Sequence, residues 1–216
     1  MSYIAERRQE EKDRRRIEII EAAEDLYREV GWDAVTVDGV AKRARLSRAL
    51  VYIYFKDKRD LHLGIAVRAM ETLLARFQDA SATSANGLDK IVAMGRAYMT
   101  YAQEFPHYFD ACARLEMQAV ETTTEPNPQL LPCIETGHRV HMVVVDALIL
   151  GQKDGSVRAD LGDLAITSRV LWGFTHGLIQ IAITKSEPLA QAGISVPQLT
   201  QQAIDMMRHM LAAANH

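Results

Sequence analysis

Seven cations lie between Lys42 and Arg59 (Lys42, Arg43, Arg45, Arg48, Lys56, Lys58 and Arg59), opposed by the single acid Asp57. This local charge of +6 sits in a chain whose formal net charge is −3. Such a cluster can bind phosphates through ion pairs and hydrogen bonds. When the cations gather on a short helix they make the electrostatic footprint of a nucleic-acid reader. A solvated basic face on an ordinary helical protein would carry the same charge, so the elements beneath the cations must decide between the two.

Those elements read as a short helix, a tight turn and a second short helix over Thr36–Lys58. Val37, Val40, Ala41 and Ala44 recur at helical spacing, Thr36 can cap them, and Asp38 suits the positive first turn. The rhythm breaks at Arg45-Leu46. Ser47 is a second cap candidate, opening a two-turn helix over Arg48–Tyr54. There Leu50, Val51 and Tyr54 can face inward, leaving Arg48, Ala49, Tyr52 and Ile53 outside. So short a helix must pack on neighbours while presenting its outer face to something else.

At this point the residues resemble the tetracycline-repressor (TetR) type of bacterial transcription regulators. The resemblance covers Ile17–Leu61 and is carried by Ala22, Ala23, Leu26, Tyr27, Gly31, Thr36-Val37, Val40-Ala41, Ala44, Leu46-Ser47, Tyr52, Tyr54-Phe55, Lys58 and Leu61. The sequence departs from the family where Arg45, and commonly where Ala49, replaces a glycine. Arg45 must therefore accept a turn geometry that glycine takes without strain, while adding a cation beside the proposed DNA face. The resemblance implies phosphate contacts from Thr36, Tyr54 and Lys58. Base edges would be read from Arg48, Ala49, Leu50 and Tyr52, with Arg45 and Ser47 completing the candidate DNA-binding set. Arg48 suits either bidentate bonding to guanine or a phosphate.

Along the chain, Glu6–Arg16 alternates cations with Glu and Gln, as a solvated helix or a frayed arm would. Arg14, Arg15 and Arg16 suit either an arm that reaches DNA or a solubilising tail. Ile17, Ile20, Ala23, Tyr27 and Val30 mark an amphipathic helix ended by Gly31, which completes a three-helix head. Asp57 caps the next helix, with Asp60 making an acidic capping box, and Lys58 sits at its first position, where a phosphate could be held. Ser81–Gly87 and Thr122–Pro128 read as loops. Helices are expected over Leu88–Glu104, from Pro106 to about Val120, Leu130–Leu150 (ended by Gly151), Asp163–Ile183 and Val196–Ala214, with KSEPLAQAG separating the last two. No run alternates at period two. The expected architecture is all-α with about nine helices: a helix-turn-helix DNA-binding domain over residues 1–57, and a ligand-binding and dimerisation domain over 58–216.

In the body, Tyr98, Tyr101, Phe105, Tyr108, Phe109 and Met117 are candidate pocket residues, together with His138, His141, Met142, Trp172 and His176. Large aromatic, Met and His side chains line apolar cavities with a few polar anchors, although residues at this spacing also simply fill a core. His138 and His141, three apart, are a possible metal pair. Further ligands would have to come from His107, Cys112 or Cys133, so metal sensing stands as an alternative function and no metal or other cofactor is expected. Two cysteines are too few for a disulfide scaffold and are expected as buried thiols. No Gly-rich phosphate loop, HExxH or GxSxG occurs, so no enzyme is expected. An all-helical interaction protein without sequence-specific DNA binding is a further alternative, one with no use for the basic cluster.

The last two helices carry apolar stripes expected to form a homodimer interface through Leu171, Gly173, Phe174, Gly177, Leu178, Leu199, Ala203, Met207 and Met210. Gly173 and Gly177 would let a second helix approach closely, unless they serve packing inside the chain. The chain shows no signal peptide and no run of eighteen apolar residues, which leads to a soluble, cytoplasmic expectation without membrane association. The expected partners are double-stranded operator DNA, an unknown small-molecule effector and a second copy of the chain.

Overall fold

The computed structural model describes residues 3–117 and 130–213. Ten α-helices account for most of them: α1 (Tyr3–Val30), α2 (Val37–Arg43), α3 (Arg48–Tyr54), α4 (Lys58–Ala82), α5 (Gly87–Glu104), α6 (Pro106–Met117), α7 (Leu130–Asp154), α8 (Leu164–Thr184), α9 (Ser186–Gln191) and α10 (Val196–Leu211). A single 3-10 turn covers Trp32–Ala34. The only sheet-like pairing among the described residues is one isolated bridge between Val157 and Ala212.

Local chemistry sets many of these boundaries. The Thr36 hydroxyl accepts from the Gly39 amide at 3.0 Å, and Ser47 accepts from Leu50 at 3.2 Å, so the two short helices start where cap residues stand. Asn86 caps α5 in the same way, Asp163 caps α8 through two amides, and Ser195 with Gln198 forms a full capping box at α10. At α4 the box is displaced by one residue: Asp57 accepts from the Asp60 amide, but the Asp60 carboxylate accepts from Lys56 rather than from the cap residue.

The chain divides into two compact units. One holds Met1–Ala69 and His107–Cys133. Its interior is Ile19, Ile20, Ala23, Tyr27, Val40, Val51, Phe55, Leu61, Ile65 and Phe109, all buried. The Tyr108 hydroxyl donates to buried Glu24 at 3.0 Å, and Arg68 lies 3.3 Å from the same carboxylate. The other unit holds Met70–Pro106 and Ile134–His216, and it buries Leu73, Phe77, Met94, Tyr98, Tyr101, Leu148, Ile204 and Met207.

Several boundaries and faces differ from the sequence reading. Helix α1 is continuous from Tyr3, so the charged segment Glu6–Arg16 is helical. Its buried stripe runs through Ile19, Ile20, Ala23 and Tyr27, while Ile17 and Val30 are half exposed. The loop after α4 starts later, because α4 reaches Ala82, and Gly87 opens α5. Gly151 does not end α7, which continues to Asp154. A Cβ on Gly87 would lie 2.1 Å from the Gly151 amide nitrogen, so these two glycines are where α5 and α7 touch backbone to backbone. The segment between α8 and α10 contains α9, a helical turn that makes the count ten rather than nine. The expected loop Thr122–Pro128, the end of the sixth helix near Val120, and Ala214 lie outside the described residues.

Candidate functional site

The helix-turn-helix forms as its caps require. Helix α2 ends in a left-handed cap. Arg45, at φ 56°, donates its amide to the Lys42 carbonyl at 3.2 Å, and Leu46 donates to the Ala41 carbonyl at 2.9 Å. This is the double hydrogen bond that usually selects glycine, so Arg45 does adopt a glycine's geometry, at a local cost of about 1 kcal/mol. Its side chain remains exposed. Val51 is fully buried and anchors α3, with Leu50 and Tyr54 partly covered beside it, which leaves Arg48, Ala49, Tyr52 and Ile53 exposed. Ile53 is 71% exposed, an outward apolar side chain that no packing inside the chain requires.

The cations on this surface are less free than their count suggests. Arg48 Nε lies 3.1 Å from Asp38 Oδ1 on α2, and its guanidinium also bonds the Tyr52 hydroxyl at 3.2 Å and lies over that ring. Arg43 pairs with Glu29 on α1 at 2.8 Å. Lys58 stands at the first position of α4, but its ammonium donates to the Asp33 carbonyl at 3.1 Å and sits 5.0 Å from the Trp32 ring centre. Desolvation there lowers its pKa. Lys42, Arg45 and Lys56 stay exposed. The Asp38–Arg48 pair was missed in the sequence. Its one signal is that both residues occupy first turns of consecutive short helices.

In the same unit, Arg114 forks onto Asp33 at 2.9 and 3.1 Å and bonds Asp110 at 2.8 Å, and Asp110 also accepts from the Tyr27 hydroxyl. His62 is 1% exposed and packs against Trp32 with ring centres 4.9 Å apart and planes tilted by 45°, and both its ring nitrogens lack a hydrogen-bond partner among the described residues. Burial pushes its pKa down to about 4. Cys112 and Cys133 are buried thiols that form no disulfide. Burial raises that of Cys133 to about 12.

In the second unit a narrow cavity of about 30 Å³ opens among α4, α5, α7, α8 and α10. Of the expected pocket residues it brings together Tyr98, His141 and Trp172. Trp172 stacks on Tyr98 at 4.7 Å, and the Tyr98 hydroxyl is hydrogen-bonded to His176 Nδ1 at 2.8 Å. His141 Nδ1 lies 3.2 Å from the Ser168 hydroxyl, and burial lowers the His141 pKa. Phe77, Met94, Ser168 and Thr175 also line the cavity, and nothing in their sequence spacing separates them from ordinary core.

The remaining pocket candidates lie elsewhere. Tyr101 is 1% exposed and packs against Phe105, which lies under Arg76. Tyr108, Phe109 and Met117 belong to the other unit, where Tyr108 and Phe109 are buried and Met117 is exposed. His138 and Met142 are exposed on α7. Among the described residues no three His, Cys, Asp or Glu side chains converge as a metal site. A second cavity of about 330 Å³ is lined by Met99, Gln103, Leu178, Ile183, Val196 and Thr200.

The residues expected between two copies also divide. Leu171, Ala203 and Met207 are buried within the unit, and Leu171 and Met207 line the aromatic cavity, because α8 and α10 turn one side each toward α5. Phe174, Gly177, Leu178 and Leu199 are half-buried, and Gly173 and Met210 are exposed. Ile166, Val170, Ile181 and Met206 are exposed beside them. A Cβ at Gly173 or Gly177 meets nothing within 4 Å among the described residues, so no described neighbour requires a glycine at either position.

A capped helix-turn-helix with an exposed second helix, set in an all-helical chain, defines a DNA-binding transcription regulator. Residues 19–65, the head of the chain, match the model of the bacterial regulatory proteins of the tetR family. It is 24% identical over 177 residues to the transcriptional regulator UidR of Escherichia coli, covering 82% of this chain and 84% of UidR. It is 25% identical over 92 residues to the transcriptional activator FasR of Mycolicibacterium smegmatis, spanning 43% of this chain and 42% of FasR. The solved structure of the regulator FadR from Bacillus subtilis in complex with stearoyl-CoA shares the fold. Its TM-score is 0.68 at 15% identity, over 90% of this chain and 98% of that one. No described helix is long and apolar enough to cross a membrane.

Proposed function

We propose that the chain is a ligand-responsive repressor that binds a pseudo-palindromic operator as a homodimer and is released by a small molecule. The observation that carries this is the outer face of α3, where Arg48, Ala49, Tyr52 and Ile53 stand exposed on a helix anchored by fully buried Val51. Phosphate contacts from Thr36, Tyr54 and Lys58 would position the helix, and base edges would be read from Arg48, Ala49, Leu50 and Tyr52. Residues 1–57 are assigned to DNA and 58–216 to the effector and the second copy. Two recognition helices require half-sites separated by about one helical turn or somewhat more.

The aromatic cavity is the effector site in this reading, because stacked rings and hydrogen-bonding groups converge there, whereas the larger cavity is mainly aliphatic. At about 30 Å³ it is far below the roughly 300 Å³ of an ordinary ligand site, so an effector must displace side chains, Trp172 first. A ligand that binds only the widened state shifts the chain toward it, with α4 as the continuous helix through which the head is affected. FadR, solved with stearoyl-CoA, supports an effector with a long apolar part.

The test is a screen for compounds that dissociate the protein from its operator, followed by titration of a hit against free and operator-bound protein. The hit must bind free protein more tightly by the same factor by which it weakens DNA binding. Release without that reciprocity, or release unaffected by Trp172→Ala, would contradict the reading.

A further inference from the structure

Helix α8 carries one inward stripe that runs past two cavities. Ser168, Trp172 and Thr175 line the narrow aromatic cavity, and Ile179 and Ala182 line the larger one. These five recur at i, i+4, i+7, i+11 and i+14, so they share a face of the helix. Helix α5 shows the same order, with Met94 and Tyr98 at the first cavity and Met99 and Ala102 at the second. Helix α10 follows in reverse, with Met207 at the first and Thr200 and Val196 at the second. The same three helices thus wall both cavities, and on α5 the two linings meet at consecutive residues. From Trp172 to Ala182 this trench extends about 15 Å.

The two ends differ in chemistry. The aromatic end holds about 30 Å³, the room of one water, and its walls carry the Tyr98 hydroxyl, bonded to His176, and the His141–Ser168 pair. The other end holds about 330 Å³, the size of an ordinary ligand site, and is apolar apart from Gln103 and Thr200. Gln103 and Pro106 are exposed and Ile183 is half exposed, so this end opens to solvent. Among the described residues no Asp, Glu, Lys or Arg lines either cavity. His141, its pKa lowered by burial, supplies no fixed charge near pH 7. A carboxylate buried there would find no counter-charge, whereas a hydroxyl or a carbonyl oxygen finds hydrogen-bonding partners.

We propose that the two cavities are the ends of one channel for a neutral, straight-chain amphiphile, with its hydroxyl or keto group at Tyr98 and His141 and its aliphatic tail in the larger cavity. This rests on the reading of the aromatic cavity as the effector site and names the class of effector. The larger cavity supplies the volume that the aromatic one lacks, and the side chains where the linings meet must move to join them. The polar group lies at the aromatic end because the buried groups that can bond it converge there, whereas Gln103 already faces water. The ionised head of a fatty acid is what the uncharged lining selects against.

The experiment titrates hexanol, decanol and decanoate into the full-length protein by calorimetry at neutral pH, where decanoate is ionised. Decanol should bind more tightly than hexanol by roughly fourfold for each added methylene. Decanoate should bind about tenfold or more weakly than decanol. Tyr98→Phe keeps the ring and removes the hydroxyl, and should weaken decanol about fivefold. Ala182→Phe narrows the larger cavity and should weaken decanol while sparing hexanol. Thermal melting verifies each fold, and Thr200→Phe repeats the test from α10 should the first variant misfold. Decanoate binding as tightly as decanol, or a chain-length gain that survives the narrowing variants, overturns the proposal while leaving the aromatic cavity as the effector site. Failure of both alcohols to bind does the same, because the operator-release screen tests that site independently. Release by a screened compound that is indifferent to Trp172→Ala overturns both.

Discussion

Arg48 shows what the residue scale adds to a charge count. In the sequence it is one cation among seven, while in the structure it is held between Asp38 and Tyr52 at the start of the recognition helix. In the proposed complex DNA would compete with Asp38 for it. Arg48→Ala should relax preference at one base position of the selected motif, at a cost of about 1–3 kcal/mol there if the contact is bidentate to guanine. An unchanged motif would remove it from direct readout. Lys58→Ala should weaken binding to all sequences alike and flatten the salt dependence, whereas an altered base preference would contradict its phosphate role. Because Lys58 also bonds the Asp33 carbonyl, its melting temperature must be measured alongside. Buried His62 gives a pH effect unrelated to DNA. Its folded pKa of about 4 lies below the 6.5 of an unfolded histidine, so the unfolded chain takes up the proton first as pH falls. Its contribution is intact above pH 6.5 and declines as pH falls toward 4. His62 alone should make the protein roughly 2 kcal/mol less stable to urea at pH 5 than at pH 7, and His62→Leu should remove that share of the difference. His107, also lowered to about 4 by burial, acts in the same direction.

At the scale of elements, the caps were legible. Thr36, Ser47 and Asp57 are short polar side chains placed one residue before apolar helical patterns, and each does accept the expected backbone amide. Arg45 was legible as a glycine substitute because the turn needs a left-handed residue whichever side chain stands there. What could not be read was which side of a helix meets which neighbour. Leu171 and Met207 fit an apolar stripe equally well as a dimer face or as a cavity wall, and only the placement of α5 beside α8 and α10 separates the two. Gly151 reads as a helix terminator, yet it lies inside α7 and is small because a Cβ there would come within 2.3 Å of the Val157 side chain. Glycines that relieve packing and glycines that end helices are identical in sequence. For Gly173 and Gly177 the open space above both within the chain favours close approach by a second copy. Replacing both with Leu should yield monomers that bind the operator poorly, as read by sedimentation and by titration on the operator. An intact dimer would place the interface elsewhere.

At the scale of the whole molecule, the all-helical class followed from periodicity, and the head from motifs packed into about sixty residues. The pocket was only partly legible: Tyr98, His141 and Trp172 meet, whereas Tyr108, Phe109 and Met117 belong to another unit of the chain. Aromatic residues at helical spacing carry no label for cavity or core, because both are apolar and differ only in whether neighbours close around them. The effector therefore has to be found by experiment. Sequence-specific DNA recognition by a symmetric pair of heads has to come before it, since release by an effector has meaning only for a protein that binds an operator.

The most direct test is selection of bound duplexes from a random DNA library, followed by salt-dependent affinity on the enriched sequence. An inverted repeat with half-sites about one turn or somewhat more apart, bound with a steep negative salt slope, is the predicted result. Recovery of no motif, with only weak and salt-sensitive binding, would contradict the account.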